Sequence, residues 1–228
     1  MSIGVDAVVF DFDGLVLDTE APVYAAWCAT FESYGCAPPT LEEWGAYIGT
    51  DSDYRELLEL LVTTASRPVD VNEMHAARRA HRDTLLAAQD VLPGVRAWIE
   101  EATAGGIGIA IASSSPDEWV LGHLDRLGLR THFEHVMCAG KGRRAKPAPD
   151  TYLAACAALG VPPHRALAVE DSAHGVAAAK DAGLRCVAVP HSLTESLDLS
   201  AANLRLGSLA DCSLRDAVAR IKPDARTP

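Results

Sequence analysis

The sequence predicts an α/β protein: a parallel β-sheet covered by helices on both faces, with a second, all-helical unit inserted after the first strand. Three observations carry this. Short apolar runs alternate with helix-period stretches over most of the chain, and strands alternating with helices build parallel sheets. The alternation stops between Glu20 and Gln89, where only helical patterns occur. The polar residues able to do chemistry stand directly after the apolar runs, where an open α/β sheet meets its ligands.

The first strand is expected over Val5–Phe10. It runs into "VVFDFDGLVLDTE" (Val8–Glu20), which places Asp11, Asp13 and Asp18 within eight residues. Carboxylates so close repel one another unless a cation or a proton sits among them. In the segment that follows, Val23, Trp27 and Phe31 are spaced by four and share a helix face. Thr40 with Glu43, Asp53 with Glu56, and Asp70 with Glu73 have the spacing of capping boxes or their aspartate analogues. An all-helical stretch of about 70 residues is too long for a crossover helix alone. The expected division is therefore a core of residues 1–18 and 91–228 and a helical domain of residues 19–90, with re-entry through "VLPGV" (Val91–Val95).

The remaining strands are expected at Ile107–Ala112, Val136–Cys138, Ala166–Val169 and Cys186–Val189, with a weak last one near Leu204–Leu206. Helical patterns at Val95–Ala104, Asp117–Leu127, Thr151–Leu159 and Ala173–Ala182 connect them. Gly128, Gly160 and Gly183 each follow a helical run, where a left-handed C-terminal cap favours glycine.

Composition narrows the function classes. The 228 residues are 49% hydrophobic and 22% charged, ordinary for a globular protein with one sizeable core and a smaller companion. A net charge of −11 argues against a nucleic-acid surface, because phosphate backbones are met by basic stripes. No apolar run approaches the roughly 20 residues that span a bilayer, and Asp6 and Asp11 interrupt any leader-like segment. Six cysteines without C-x-x-C spacing read as reduced, mostly buried thiols, which with the rest points to the cytoplasm. Sixteen arginines stand against four lysines, and no lysine precedes Lys141.

Four features fall at four strand ends: Asp11 and Asp13; "ASSS" (Ala112–Ser115); "GRRAKPAPD" (Gly142–Asp150); and "VEDS" (Val169–Ser172). One pocket would then collect four carboxylates, hydroxyls with free backbone N–H groups, and Lys146. That set suits phosphoryl transfer. A hard divalent cation takes oxygen ligands and keeps several waters, so two or three carboxylates suffice. Serines at a strand-to-helix turn offer donors to phosphate oxygens. A lysine neutralises nucleophile and transferring group, and an aspartate can attack phosphorus.

"DFDGLVLDTE", "ASSS", "KPAP" and "EDS", in that order, resemble the four motifs of the haloacid dehalogenase superfamily, a Rossmann-like fold. The helical insert resembles the C1 cap of its beta-phosphoglucomutase-like branch. The likeness spans about Val5 to Leu209. It implies Asp11 as nucleophile, and Asp13 as the acid that protonates the leaving oxygen and then deprotonates the attacking water. Ser113 and the N–H of Ser114 would hold the phosphoryl group, and Lys146 would steady it and Asp11. Asp171, Asp11 and the Asp13 carbonyl would ligate Mg²⁺, with Glu170 direct or through water. Thr50 and Arg55 are the expected substrate contacts from the cap.

Other residues are read apart from these roles. Ser115, with Glu118 three residues on, reads as a helix N-cap. Ser172 reads equally as a site residue or as the start of the next helix. Asp18 is expected to organise the turn and hinge. Lys141, Arg143 and Arg144 are either a solvated loop or a lure for an anionic substrate. Asp51, Ser52, Arg78, Arg79 and His81 are further cap candidates.

The expected function is a Mg²⁺-dependent phosphatase of a small phosphorylated metabolite, acting as a monomer or weak homodimer without nucleic-acid or membrane partners. Dehalogenation would leave Asp13 superfluous and needs no metal. A cap-lysine Schiff base is excluded because the cap has no lysine. A non-catalytic module would be expected to have lost a motif, and none is missing. The nearest alternative is a hexose phosphomutase. In the beta-phosphoglucomutases a cap histidine stands ten residues after the second motif aspartate; here that position is Val23.

Overall fold

The computed structural model describes residues 4–45, 47 and 54–221. The strands are β1 (Ala7–Phe10), β2 (Gly108–Ser113), β3 (His135–Cys138), β4 (Ala166–Glu170), β5 (Arg185–Ala188) and β6 (Leu204–Arg205). They form one sheet in the order β3-β2-β1-β4-β5-β6, every pairing parallel. The chain fills one half of the sheet outward from β1, then returns and fills the other from β4. The strand order therefore reverses between β1 and β4, the crevice where such sheets bind ligands. Register brings Phe10 opposite both Ile111 and Val169, so the residues just beyond these strands emerge side by side.

Both sheet faces are covered, and the two-residue alternation sorts them by size. Val8, Phe10, Ile109, Ile111, Leu167 and Val169 pack with Trp98, Val120, Leu124 and Leu214. These come from α5 (Val95–Ala104), α6 (Asp117–Arg126) and α9 (Leu214–Arg220). Each fully buried side chain of that kind contributes about 1.5–3 kcal/mol relative to exposure. The opposite face is mostly alanine (Ala7, Ala110, Ala112, Ala166, Ala168, Ala188). Small side chains there let α7 (Asp150–Leu159) and α8 (Ala173–Asp181) lie close on the sheet.

Between β1 and β2 the described chain is helical: α1 (Glu20–Ser33), α2 (Leu41–Gly45), α3 (Arg55–Thr64) and α4 (Val71–Ala87) precede α5. These helices have their own apolar cluster of Trp27, Phe31, Tyr34, Trp44, Leu57, Leu61 and Met74. Trp27 and Phe31 are buried as the four-residue spacing requires, and Val23 packs at the cluster's edge. Thr40 and Glu43 form the expected reciprocal cap, and Asp70 accepts the N–H groups of Asn72 and Glu73. Asp53 lies outside the described residues. The two connections to the sheet run side by side: Leu17 bridges Val91, and the Leu92 N–H donates to the Val16 carbonyl at 3.0 Å. Gly128, Gly160 and Gly183 end α6, α7 and α8 with φ of 67°, 67° and 85°.

All six cysteines are free; Cys138, Cys156 and Cys186 are buried. Burial pushes the Cys156 thiol to about 11 and, with Asp117, the Cys138 thiol to about 12, which keeps both inert.

Candidate active site

β1 ends at Phe10 because Asp11 would otherwise extend a strand buried on both faces. The Asp11 N–H still donates to the Val169 carbonyl at 2.9 Å, which fixes Asp11 beside the end of β4. The turn that follows depends on Gly14. Its φ of +79° is left-handed, and a Cβ there would lie 2.4 Å from Asp171 Oδ2 and 2.9 Å from His191 Nε2. Glu170, the last residue of β4, needs glycine in the same way. Its carboxylate sits where a Cβ on Gly175 would fall, at 1.9–2.0 Å, under the first turn of α8.

Lys146 is 4% exposed and joins the two strand ends. Its Nζ donates to Asp11 Oδ1 at 2.5 Å and to Glu170 Oε1 at 2.6 Å, and its backbone N–H donates to Ser114 Oγ at 3.2 Å. The Tyr152 hydroxyl donates to the same Glu170 oxygen at 2.5 Å, while Oε2 accepts the N–H of Asp171 and the hydroxyl of Ser172. Both oxygens of Glu170 are thus engaged by protein donors. In contrast, Asp11 Oδ2 and Asp171 Oδ1 take no hydrogen bond among the described residues.

His191 fixes Asp171. The Leu193 N–H donates to His191 Nδ1 at 3.3 Å, which places the neutral ring's proton on Nε2, 3.1 Å from Asp171 Oδ2. Burial works against charge on His191, yet the Asp171 carboxylate raises its pKa overall.

Asp13 collects donors from distant segments. Thr19 Oγ1 (3.0 Å) and Trp119 Nε1 (2.8 Å) donate to Oδ1; Ser113 Oγ (3.2 Å) and Ser115 Oγ (2.7 Å) donate to Oδ2. Here the reading of Ser115 as an N-cap is corrected. Pro116 supplies the first helical carbonyl of α6, so the helix starts one residue later than the Ser115–Glu118 spacing implies. That leaves Ser115 outside the helix with its hydroxyl turned to Asp13. Ser172 does cap α8, accepting the Gly175 N–H at 3.1 Å, and Asp18 accepts the Ala21 N–H at 3.0 Å.

Asp11, Glu170 and Asp171 are buried, and one ligand oxygen of each lies within 4.8 Å of the others. Burial, then Glu170, pushes the Asp11 carboxyl well up against the opposing pull of Lys146. Lys146 in turn is raised by Asp11 and Glu170 against its own burial, so it remains a cation. Three buried carboxylates around one ammonium are short of positive charge. An all-oxygen, anionic, unsaturated donor set of this kind fits a small hard divalent cation.

Asp11, Asp13 and Lys146 open into a cavity of about 450 Å³ between the strand ends and the helical insert, with Glu170 and Asp171 buried behind them. From the sheet side it is lined by Asp11, Asp13, Ser114, Ser115, Trp119 and Lys146; from the helices by Glu20, Val23, Tyr47, Tyr54, Arg78 and Arg82. Ser113 is fully buried behind Ser115, its Oγ accepting the Ser115 N–H at 2.9 Å while donating to Asp13. Arg55 is exposed and is not among the lining residues. Thr50, with Asp51 and Ser52, lies outside the described residues. Of the other cap candidates Arg78 reaches the cavity, and His81 lines a groove that it also borders. The basic loop is tied down locally: Lys141 pairs with Asp117, Arg143 Nε donates to the Cys138 carbonyl at 2.7 Å, and Arg144 pairs with Asp150 at 2.8 Å.

The sequence did not mark Tyr152, Trp119, His191, Arg82, Tyr54 or Glu20. Each arrives from a helix face or a distant loop, and Trp119 lies 106 residues from the Asp13 it contacts.

Comparison with known proteins agrees with the motifs. The haloacid dehalogenase-like hydrolase family model matches residues 8–189. The protein YhcW of Bacillus subtilis is 39% identical over 210 residues, covering 92% of this chain and 94% of its own. The phosphorylated carbohydrates phosphatase of Thermotoga maritima is 31% identical over 223 residues, covering 96% and 95%. The structure of CbbY from Rhodobacter sphaeroides with xylulose-(1,5)bisphosphate superposes with a TM-score of 0.73 at 28% identity, covering 96% of this chain and all of that one. With the sheet order, the motif residues at its strand ends and a family match over most of its length, this chain belongs to the haloacid dehalogenase-like hydrolases.

Proposed function

We propose that the protein is a Mg²⁺-dependent phosphatase of small phosphorylated metabolites, a sugar phosphate or similar polyol phosphate, working through an aspartyl phosphate on Asp11. The observation that carries this reading is the Asp11–Lys146–Glu170 chain, whose first two members line the cavity, with one oxygen of Asp11 and one of Asp171 free of hydrogen bonds among the described residues.

Asp11, Asp171 and the Asp13 carbonyl would hold the metal, and Glu170, whose oxygens already accept protein donors, would act through water and hold Lys146 in place. When bound, Mg²⁺ supplies positive charge against the phosphoryl oxygens and the Asp11 carboxylate. Lys146 holds Asp11 in position for in-line attack and offsets the charge that gathers on the phosphoryl group. As the Asp11–phosphorus bond forms and the ester P–O bond breaks, Asp13 gives its proton to the leaving alcohol oxygen. Asp13 then takes a proton from water, the water oxygen bonds to phosphorus, and the aspartyl P–O bond breaks. The product is inorganic phosphate, and both aspartates return to their starting forms. Thr19, Ser113, Ser115 and Trp119 aim the Asp13 carboxyl through these transfers. Ser114 stands on the cavity wall to receive phosphoryl oxygens.

The core of residues 1–18 and 91–228 and a cap of residues 19–90 would be joined by the paired connections at Leu17 and Val91. Hinging there would close the cavity against water during transfer and open it for release. Val23 lines the cavity where a phosphomutase would present its histidine, and an apolar side chain cannot move a proton to a sugar hydroxyl. That favours water as acceptor over a hexose phosphomutase reaction. Six free cysteines accord with a cytoplasmic enzyme, read as a monomer or weak homodimer. The test is a screen of phosphorylated metabolites for phosphate release, with and without chelator. Mg²⁺-restored release supports the reading; isomerised sugar phosphate accumulating ahead of inorganic phosphate contradicts it.

A further inference from the structure

Thr19, Trp119, Ser113 and Ser115 all donate to the Asp13 carboxyl, but they are not chemically alike. The three hydroxyls can donate or, after rotation, accept. The Trp119 indole N–H can only donate, and it lies 2.8 Å from Asp13 Oδ1. In the proposed reaction Asp13 alternates between two states, an acid before the alcohol leaves and a carboxylate before water attacks. A hydroxyl follows that change by turning. The indole cannot.

The ring is also held in place. Trp119 stands in the first turn of α6, half-buried, and meets the His123 ring one turn later in a T-shaped contact with centroids 4.5 Å apart. His123 stacks in turn on Phe12, the neighbour of Asp13. From the helical insert, the Arg82 guanidinium carbon lies 4.9 Å from the indole centroid. Packing from both sides of the cavity therefore fixes the direction of one N–H, and with it the oxygen of Asp13 that must accept.

A protonated carboxyl has one accepting oxygen, its carbonyl, and one donating oxygen, its O–H. Facing an obligate donor, Oδ1 must be the carbonyl, because a proton there would oppose the indole hydrogen. On Oδ2 the partners are the Ser113 and Ser115 hydroxyls, both able to turn and accept. Resting on the phosphatase reading, we propose that Trp119 is a positioning residue that gives the two oxygens of Asp13 fixed roles: Oδ1 only accepts, and Oδ2 carries the transferable proton. The Oδ2–H bond breaks as the alcohol oxygen leaves phosphorus and takes that proton. Oδ2 later takes one proton from water as the water oxygen bonds to phosphorus and the aspartyl P–O bond breaks. Leaving and attacking oxygens both lie in line with Asp11 on the far side of phosphorus, so one proton-bearing oxygen serves both transfers.

The experiment replaces only the N–H. Incorporation of 3-benzothienylalanine at position 119 keeps the fused ring and its packing and puts sulfur where the N–H stood; Trp119→Phe is the ordinary variant beside it. With Mg²⁺, kcat/KM is measured on p-nitrophenyl phosphate and on the best alkyl phosphate among glucose 6-phosphate, ribose 5-phosphate and glycerol 3-phosphate. That ratio reports only the steps up to departure of the alcohol, and p-nitrophenolate departs without a proton whereas an alkoxide needs one. Both variants are expected to lose about tenfold on the alkyl phosphate, as loss of one hydrogen bond to the acid would give, and far less on p-nitrophenyl phosphate. In an Asp13→Asn background, which has no proton to place, the sulfur replacement should cost nothing further on either probe. Equal losses on the two probes, an unchanged alkyl rate in the sulfur variant, or a further loss in the Asp13→Asn background would overturn the assignment while leaving the phosphatase reading standing. Absence of phosphate release from every alkyl phosphate with wild type would overturn both.

Discussion

The two sides of the cavity are finished to different degrees. On the sheet side each acidic group of the site has a protein partner: Lys146 holds Asp11 and Glu170, His191 holds Asp171, and Asp13 collects Thr19, Ser113, Ser115 and Trp119. On the helical side Arg78 is buried above an aromatic ring, and its Nε and Nη1 have no hydrogen-bond acceptor among the described residues. The difference separates two ways of fixing a group. Groups that act on phosphorus must be preorganised, because misplacement is costly to the rate. A guanidinium stacked on a ring is held by packing, which fixes its plane without directing its N–H groups.

The largest effect should come from the most complete part of the sheet side. Asp11→Asn keeps the volume and removes the attacking charge, so kcat should fall by about 10⁴-fold or more while circular dichroism is unchanged. Activity within tenfold of wild type would remove Asp11 as nucleophile.

Next is the ammonium that joins the two strand ends. Lys146→Met leaves Asp11 and Glu170 buried without their cation, and breaking a buried pair this way costs about 3–5 kcal/mol. Chemical denaturation at neutral pH, compared with Arg78→Met on the other wall, sharpens the contrast: the sheet-side variant should lose stability and the helical-side variant far less. Comparable losses from both would mean that the two walls are not built differently.

Metal affinity tests the division of labour among the acids. Calorimetric titration with Mg²⁺ should show a large loss for Asp171→Asn and about a 10–100-fold loss for His191→Ala, since partners that orient a ligand matter nearly as much as the ligand. Glu170→Gln should weaken Mg²⁺ less than Asp171→Asn and act mainly through Lys146. The reverse order would make Glu170 the direct ligand.

The smallest effect belongs to Glu20, on the first turn of α1. Its carboxyl is raised well above the ordinary 4.5 in the folded protein, by burial first. The native state therefore holds that proton more tightly than the unfolded chain does. Its contribution is full below pH of about 4.5 and is lost as pH rises toward the folded value. Glu20→Gln cannot lose that proton, so in chelator its Tm should match wild type at low pH and exceed it increasingly as pH rises. A Tm difference that shrinks with rising pH would contradict the assignment.

The sequence by itself determined the strands, their parallel arrangement and the positions of Asp11, Asp13, Lys146, Glu170 and Asp171. These are local properties: apolar runs long enough for a strand, glycines where helices end, and acids placed at or just beyond the ends of those runs. It also located Trp27 and Phe31 as one buried face, because helical spacing fixes which residues share a side. What only the tertiary structure decided is what those acids touch. Ser115 looked like a cap because spacing alone does not show that Pro116 starts the helix one residue later and frees its hydroxyl for Asp13. Tyr152, His191 and Trp119 carry no motif; helix packing and the loop after β5 bring them to Glu170, Asp171 and Asp13. Arg78 was one of several arginines on a polar helix until the fold set it over Trp27 and closed water away from it. Whether a charge is paired is a property of the space around it, and that space is made from parts of the chain that no local pattern connects.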